Sequence, residues 1–273
     1  MKADDRADAL ACLLDVRPEM DFLAAHAPGA ASIALEELPR RVHELPPPDI
    51  SLRVTDVDPA RSRAGAEFLS RRGHNVVPVP WESLSPTESG RSRARLWRPN
   101  PFLVESLALI RAVHSNSPAK PRAMDVACGT GRDAVYLALN GYDVLAVDLL
   151  PDALDRAADL ARRSGVVITT LVMDVESGPM LPPGPFDLVT VFRFLHRPLF
   201  PLLRDAVAPG GYLVYETFHE RNLATGSGPR NPAHLLGSGE LLSAFSGFES
   251  LICRDPIERD GRFFSSLLAR RYA

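Results

Sequence analysis

"DVACGTGRDAVYLALNGYDVLAVD", residues 125 to 148, decides how the rest of this chain is read. An apolar run ends in Asp125 to Cys128, and a glycine pair follows at Gly129 and Gly131. Apolar residues then recur at helical spacing through "DAVYLALNG", and a second apolar run closes on Asp148. Strand, tight turn, helix and strand in that order make a βαβ unit. In an open parallel sheet the ligand lies outside the carboxyl ends of the strands, beside the first strand-to-helix turn. The glycine pair therefore marks the expected place of a nucleotide-like ligand, and a Cβ at Gly129 or Gly131 is expected to fill the space that ligand needs.

Outward from this stretch, strands and helices continue to alternate. Upstream, "PFLVESLALIRAVHS" has helical spacing. Downstream come "PDALDRAADLARRSG" (helix), "VITTLVMD" (strand), "FDLVTVF" (strand), "LHRPLFPLLRDAVAPGG" (helix ending at a turn) and "YLVYETF" (strand). This order predicts a doubly wound α/β domain over residues 101–273. Residues 80–100, rich in Pro, Ser, Gly and Arg, lack a sustained apolar period and read as a linker or lid over 83–100. Before it, "LACLLDV", "SLRVTDV" and "NVVPV" read as strands and "EMDFLAA" and "SRAGAEFLSRRG" as helices, a second, small parallel α/β domain over residues 1–82.

The 273 residues, 45% hydrophobic and 24% charged, have the composition of a soluble globular protein of about two domains. A net charge of -3 gives no electrostatic basis for nucleic-acid binding. Lys2 and Lys120 are the only lysines, so arginine carries the positive charge. Cys12, Cys128 and Cys253 are odd in number, far apart and without a C-x-x-C pair or a leader ahead of them. A reduced, cytoplasmic protein without a structural metal site is expected. No apolar run approaches the roughly 20 residues of a membrane span, and no membrane partner is expected.

Gly129 to Ala134 also satisfies the dinucleotide pattern G-x-G-x-x-G/A. Asp125 separates the possibilities. A carboxylate four residues before the first glycine repels a pyrophosphate and suits an amino group. Asp133, at the start of the next helix, adds negative charge there, or serves simply as an N-terminal helix acid. Asp148 stands where a carboxylate accepts hydrogen bonds from ribose hydroxyls, and Asp174 ends the third strand where an adenine amine is expected. A cationic nucleoside fits these four acids better than a dinucleotide does.

On these residues, roughly 94 to 270 resemble the class I S-adenosylmethionine-dependent methyltransferases. The resemblance implies a Rossmann-like fold with a mostly parallel seven-stranded sheet and S-adenosylmethionine as cofactor. It implies a cofactor site of Asp125, Ala127, Cys128, Gly129, Gly131, Asp133, Asp148, Leu149, Asp174, Val175 and Phe192. "CGTGRDAVYLA" is similar to the subgroup related to tellurite-resistance methyltransferases, which act on small molecules and on thiol-like or chalcogen acceptors. Cys128 reads as a small buried hydrophobe without a nucleophilic role.

Methyl transfer from a sulfonium needs mainly alignment and, for some acceptors, a base. The acceptor is expected beside "FRFLHRPLF" and "ETFHERN". Histidine is the side chain suited to general-base work, so His196 serves as the base, or lines the following helix. Glu216 orients the acceptor, or faces water. Arg193 and Arg197 favour an anionic acceptor, or are solvated surface residues. Trp97 and Phe102 are candidate walls of a lid, and residues 226–241 a second loop over a closed pocket. That pocket suits a small-molecule acceptor, with a homodimer as a possible assembly.

Residues 13–38 resemble the start of a rhodanese domain, with "DVR" followed by "HAPGA". The resemblance places Asp56 where the persulfide-forming cysteine of active members belongs. A carboxylate forms no persulfide, and Cys12 sits before the first strand, so a noncatalytic module for docking, dimerisation or support is expected. Two other readings of the whole chain stay open: a nicotinamide-dependent oxidoreductase, and a nonenzymatic regulatory protein that retains the cofactor fold.

Overall fold

In the computed structural model, which describes residues 13–273 apart from 86, 114–119, 179 and 227, the chain forms two units, Met1–Arg98 and Pro99–Ala273. Cys12 and the start of the first expected strand lie outside the described residues, as do residues 114 and 115 of the expected helix and Ser227 of the expected acceptor loop.

In the first unit four short strands, β1 (Leu13–Asp15), β2 (Ala30–Ser32), β3 (Leu52–Thr55) and β4 (Val76–Pro78), pair in parallel in the order β2-β1-β3-β4. Helices α1 (Glu19–Ala24) and α2 (Pro59–Ser70) accompany them. Asp58 caps α2 by accepting from Ala60 N–H at 2.8 Å, with Pro59 at the first helical position. Leu14, Val16, Leu38, Leu52, Val54 and Leu69 form the core. The stretch expected as a linker is packed into this unit as far as Arg98. Leu96 enters the core, Leu84 packs on Leu13 and Phe22, and the Glu88 backbone exchanges two 2.8 Å hydrogen bonds with His26. Its few apolar residues fall where a neighbour needs them, without periodicity.

The second unit is a seven-stranded sheet of β5 (Arg122–Val126), β6 (Asp143–Asp148), β7 (Thr169–Val172), β8 (Phe186–Phe192), β9 (Val207–Phe218), β10 (Phe248–Arg259) and β11 (Arg262–Arg271). The order is β10-β11-β9-β8-β5-β6-β7, parallel from β7 through β9 with β11 and β10 antiparallel. The β10–β11 hairpin did not stand out in the sequence. The helices are α3 (Pro101–Val113), α4 (Arg132–Leu139), α5 (Pro151–Arg163), α6 (Phe200–Ala206), α7 (Asn222–Thr225) and α8 (Glu240–Ala244).

Each sheet face buries its own apolar layer. Phe102, Leu103, Leu107, Leu137, Leu188 and Val214 lie on one side, and Met124, Val189, Val191, Leu203, Leu213 and Phe245 on the other. Phe102, expected as a lid wall, is thus a core residue of α3. The near-continuous apolar run of β8 follows from burial on both faces. Chain order runs outward from β5 in both directions, which puts the topological switch point at its carboxyl end. Among the described residues no helix is long and apolar enough to cross a membrane.

Candidate active site

At the end of β5 the backbone turns sharply through Ala127, at φ 56°, Gly129, at φ 55°, and Gly131, at φ 76°. The two glycines have different reasons to be glycine. A Cβ on Gly129 meets nothing within 4 Å, so the surface above it is open to a ligand. A Cβ on Gly131 falls 2.4 Å from the Ala157 Cβ, so this residue admits α5 rather than a ligand and corrects the sequence expectation. The turn is fastened by Cys128 N–H to the Val147 carbonyl (3.0 Å) and Gly131 N–H to the Cys128 carbonyl (3.0 Å).

Three carboxylates converge there. Asp148 accepts from Gly129 N–H at 2.8 Å and from Leu150 N–H at 3.0 Å, each oxygen keeping a lone pair for a hydroxyl. Asp125, 2% exposed, accepts from the Thr190 hydroxyl at 2.8 Å through one oxygen, while its other oxygen is buried without a partner. Burial first, then the charge of Asp133, holds its proton affinity well above the ordinary carboxylate range, against the Thr190 hydrogen bond. Half-buried Asp133 is pushed up to about 6 by desolvation, opposed by its bond from Asn100 N–H (2.6 Å) and by Arg132. Burial and the neighbouring carboxylates raise the Cys128 thiol, which rules out a thiolate nucleophile.

Asp174 is exposed and accepts from Glu176 N–H (2.9 Å) and Ser177 N–H (3.0 Å). Hydrogen bonding from Ser177 leads the causes that lower its proton affinity, and His196 is near enough to add to them. Val175 turns its side chain into the core, and Phe192 likewise packs inward at the end of β8. Leu149 is 52% exposed beside Asp148. The Nε2 of half-buried His196 is buried without a partner.

Glu216, 2% exposed, does not face water. It accepts from Asn100 Nδ2 (3.0 Å), from the Ser266 hydroxyl and from the Arg259 guanidinium. These three donors hold the carboxylate in place, so it fixes positions. Asn100 joins it to Asp133 and also caps α3 by accepting from Phe102 N–H at 2.8 Å. Sequence reasoning passed over Asn100, although "NPF" before a helical pattern signals an N-cap. Arg197 is likewise not free. It grips Glu240 through both carboxylate oxygens and the carbonyls of Ala233 (3.0 Å) and Leu235 (2.9 Å), pinning the loop expected over the acceptor.

A buried carboxylate oxygen without a partner, in the strand that leads into an open turn and beside two more carboxylates, is matched by a positively charged nucleoside and opposes a diphosphate. Among the described residues no group of three or more His, Cys, Asp or Glu is placed to hold a metal ion.

Comparison with known proteins agrees with this chemistry. Residues 123–211 match the family described as "Methyltransferase domain". A Methylococcus capsulatus ubiquinone biosynthesis O-methyltransferase is 32% identical over 38% of this chain and 46% of its own length, so the match spans less than half of that relative. An uncharacterised Schizosaccharomyces pombe protein, UNK4.09, is 23% identical over 94% of this chain and 93% of its own. The structure of TehB from Haemophilus influenzae has the same fold at a TM-score of 0.51, 18% identity, 63% coverage of this chain and 62% of that one. Residues 123–211 are an S-adenosylmethionine-dependent methyltransferase domain, with S-adenosylmethionine as its cofactor.

Proposed function

We propose that the protein transfers the methyl group of S-adenosylmethionine to a small-molecule acceptor, with a thiol or chalcogen as the first candidates. The observation that carries this reading is the unpartnered, buried Asp125 oxygen in the strand that leads into the open Gly129 turn. In this reading Asp125 and Asp133 hold the amino acid part of the cofactor, Asp148 the ribose and Asp174 the adenine. Leu149, exposed beside Asp148, and the Val175 backbone form the walls. The cofactor supplies an activated methyl group, so the chain's own task is alignment and desolvation, effects worth on the order of 7–11 kcal/mol in well-oriented reactions. His196 takes the acceptor proton, supported by its unpartnered Nε2. Glu216 is a positioning residue.

The first unit is read as a noncatalytic rhodanese-like module, the whole protein being cytoplasmic. Support comes from the loop after β3. There Asp56 accepts from Asp58 N–H (2.9 Å) and Arg61 Nε (2.9 Å), and Arg61 also pairs with Glu36 at 2.6 Å. Arg61, in the first turn of α2, is neutralised within the chain, and no thiol stands in the loop.

Labelled S-adenosylmethionine incubated with thiol, selenide, hydroxyl and amine acceptors tests the function. Transfer to a small thiol or selenide, lost in His196→Ala, is the expected result. Cofactor binding without transfer to any acceptor would favour a regulatory protein.

A further inference from the structure

Three arginines stand around the acids at the carboxyl end of the sheet, and none was needed to hold the cofactor. Arg132 opens α4 beside Asp133. Arg193 follows β8 directly, in the left-handed region at φ 54°, with its N–H on the Glu216 carbonyl at 2.9 Å. Arg262 opens β11 across the Asp260-Gly261 turn from Arg259, whose own guanidinium is spent on Glu216. Asn100 ties Asp133 to Glu216, so all of these elements meet at one place.

Elsewhere in the chain arginines close on carboxylates, as Arg197 does on Glu240, Arg254 on Glu105 and Arg17 on Asp15. Among the described residues the guanidiniums of Arg132, Arg193 and Arg262 have neither a hydrogen bond nor an ion pair. They are close enough to act on one another: desolvation first, then Arg132 and Arg262, lower the basicity of Arg193, with Asp133 and Glu216 opposing. Of the four guanidiniums beside Asp133 and Glu216, only that of Arg259 is spent on a carboxylate. A non-glycine residue in the left-handed region is a strained placement of the kind found at functional sites.

We propose that Arg193 and Arg262, with Arg132 beside them, bind an oxyanion group of the methyl acceptor, a carboxylate or a phosphate. This rests on the methyltransferase reading for the identity of the bound molecule, though the anion site itself does not. The planar guanidinium fork takes both oxygens of such a group, and a patch of one sign disfavours neutral and cationic acceptors. The acid cradle then receives the cationic donor and the arginine patch the anionic acceptor, so opposite charges sort the two molecules into their places.

The probes are succinate, inorganic phosphate and the neutral isostere succinamide, titrated calorimetrically into the protein with and without saturating S-adenosylhomocysteine. Wild type and the double variant Arg193→Gln with Arg262→Gln are compared; both side chains are exposed, so the fold is kept. Saturable binding of either anion, absent for succinamide and weakened on the order of tenfold in the variant, is expected. S-adenosylhomocysteine should still bind, with a smaller change than that in anion binding, since Arg193 reaches the cradle only through its charge on Asp133. Equal binding of succinamide, undiminished anion binding in the variant, or no anion binding in either state would overturn the proposal. Anion binding lost in the variant, in a protein that ignores S-adenosylhomocysteine, would instead sink the methyl-donor reading and leave the anion site standing.

Discussion

Asp15 and Asp125 each stand near the carboxyl end of a parallel strand, one in each unit, and both are buried. Asp15 receives the Arg17 N–H at 3.0 Å, Nε at 3.0 and 3.1 Å and Nη2 at 2.6 Å, while Arg17 also bonds the Ala25 carbonyl and lies 3.6 Å over the Trp81 ring. Asp125 receives one hydroxyl and keeps an oxygen unpaired beside two further acids. Same side chain, comparable place, opposite provision: where the chain supplies the cation the acid is scaffold, and where it withholds it the acid is a binding group.

The largest effect that breaks this comparison lies in the first unit. Arg17→Ala leaves Asp15 buried and uncompensated, and about 3–5 kcal/mol of stability should be lost. The protein's two tryptophans, Trp81 and Trp97, both belong to that unit, so urea unfolding followed by their fluorescence reads it. An unchanged midpoint would show the pair to be dispensable.

Asp125→Asn should behave in the opposite way. Without cofactor the second unit should melt no lower than wild type in a calorimetric scan, because the unfavourable buried acid is gone. S-adenosylmethionine affinity should fall by about 1.5–3 kcal/mol, the worth of a hydrogen bond to a charged group. Parallel losses of stability and binding would make Asp125 scaffold too. Asp148→Ala should weaken S-adenosylmethionine binding by about tenfold, near 1.4 kcal/mol, by removing the ribose acceptor. Unchanged affinity would mean that the ribose lies elsewhere.

The smallest effect concerns pH. Asp133 binds its proton more tightly in the folded state, about 6 against 3.8. Its contribution to the stability of the cofactor-free fold is therefore complete below the lower value and lost as pH rises through the upper one. Binding of the cationic cofactor runs the other way, strengthening as pH climbs through about 6 and the carboxylate ionises. Titrations at intervals between pH 5 and 8 check the sign, and a flat profile in wild type would remove Asp133 from the cradle.

Local signals made the second unit legible. The βαβ pattern from Asp125 to Asp148 fixed the switch point, and the acids at the ends of β5, β6 and the segment after β7 lie where that pattern puts them. What escaped was non-local. That Gly131 serves α5 depends on Ala157, 26 positions on. That Glu216 is held in place depends on Asn100, Arg259 and Ser266, which sequence separates and the sheet brings together. In the β10–β11 hairpin β10 carries mixed, half-exposed residues while β11 is buried from Phe264 to Ala269, and only "RDGR" with its Asp-Gly turn marked the connection. The segment 83–98 looked like a linker because its few anchors, Leu84, Glu88 and Leu96, follow no period.

The account rests on a cradle whose missing charge is positive. Calorimetric titration of the same preparation with S-adenosylmethionine and with NADH tests it most directly. Saturable binding of S-adenosylmethionine in about the micromolar range, with no heat from NADH, is predicted. Saturable NADH binding by a protein that ignores S-adenosylmethionine would contradict it.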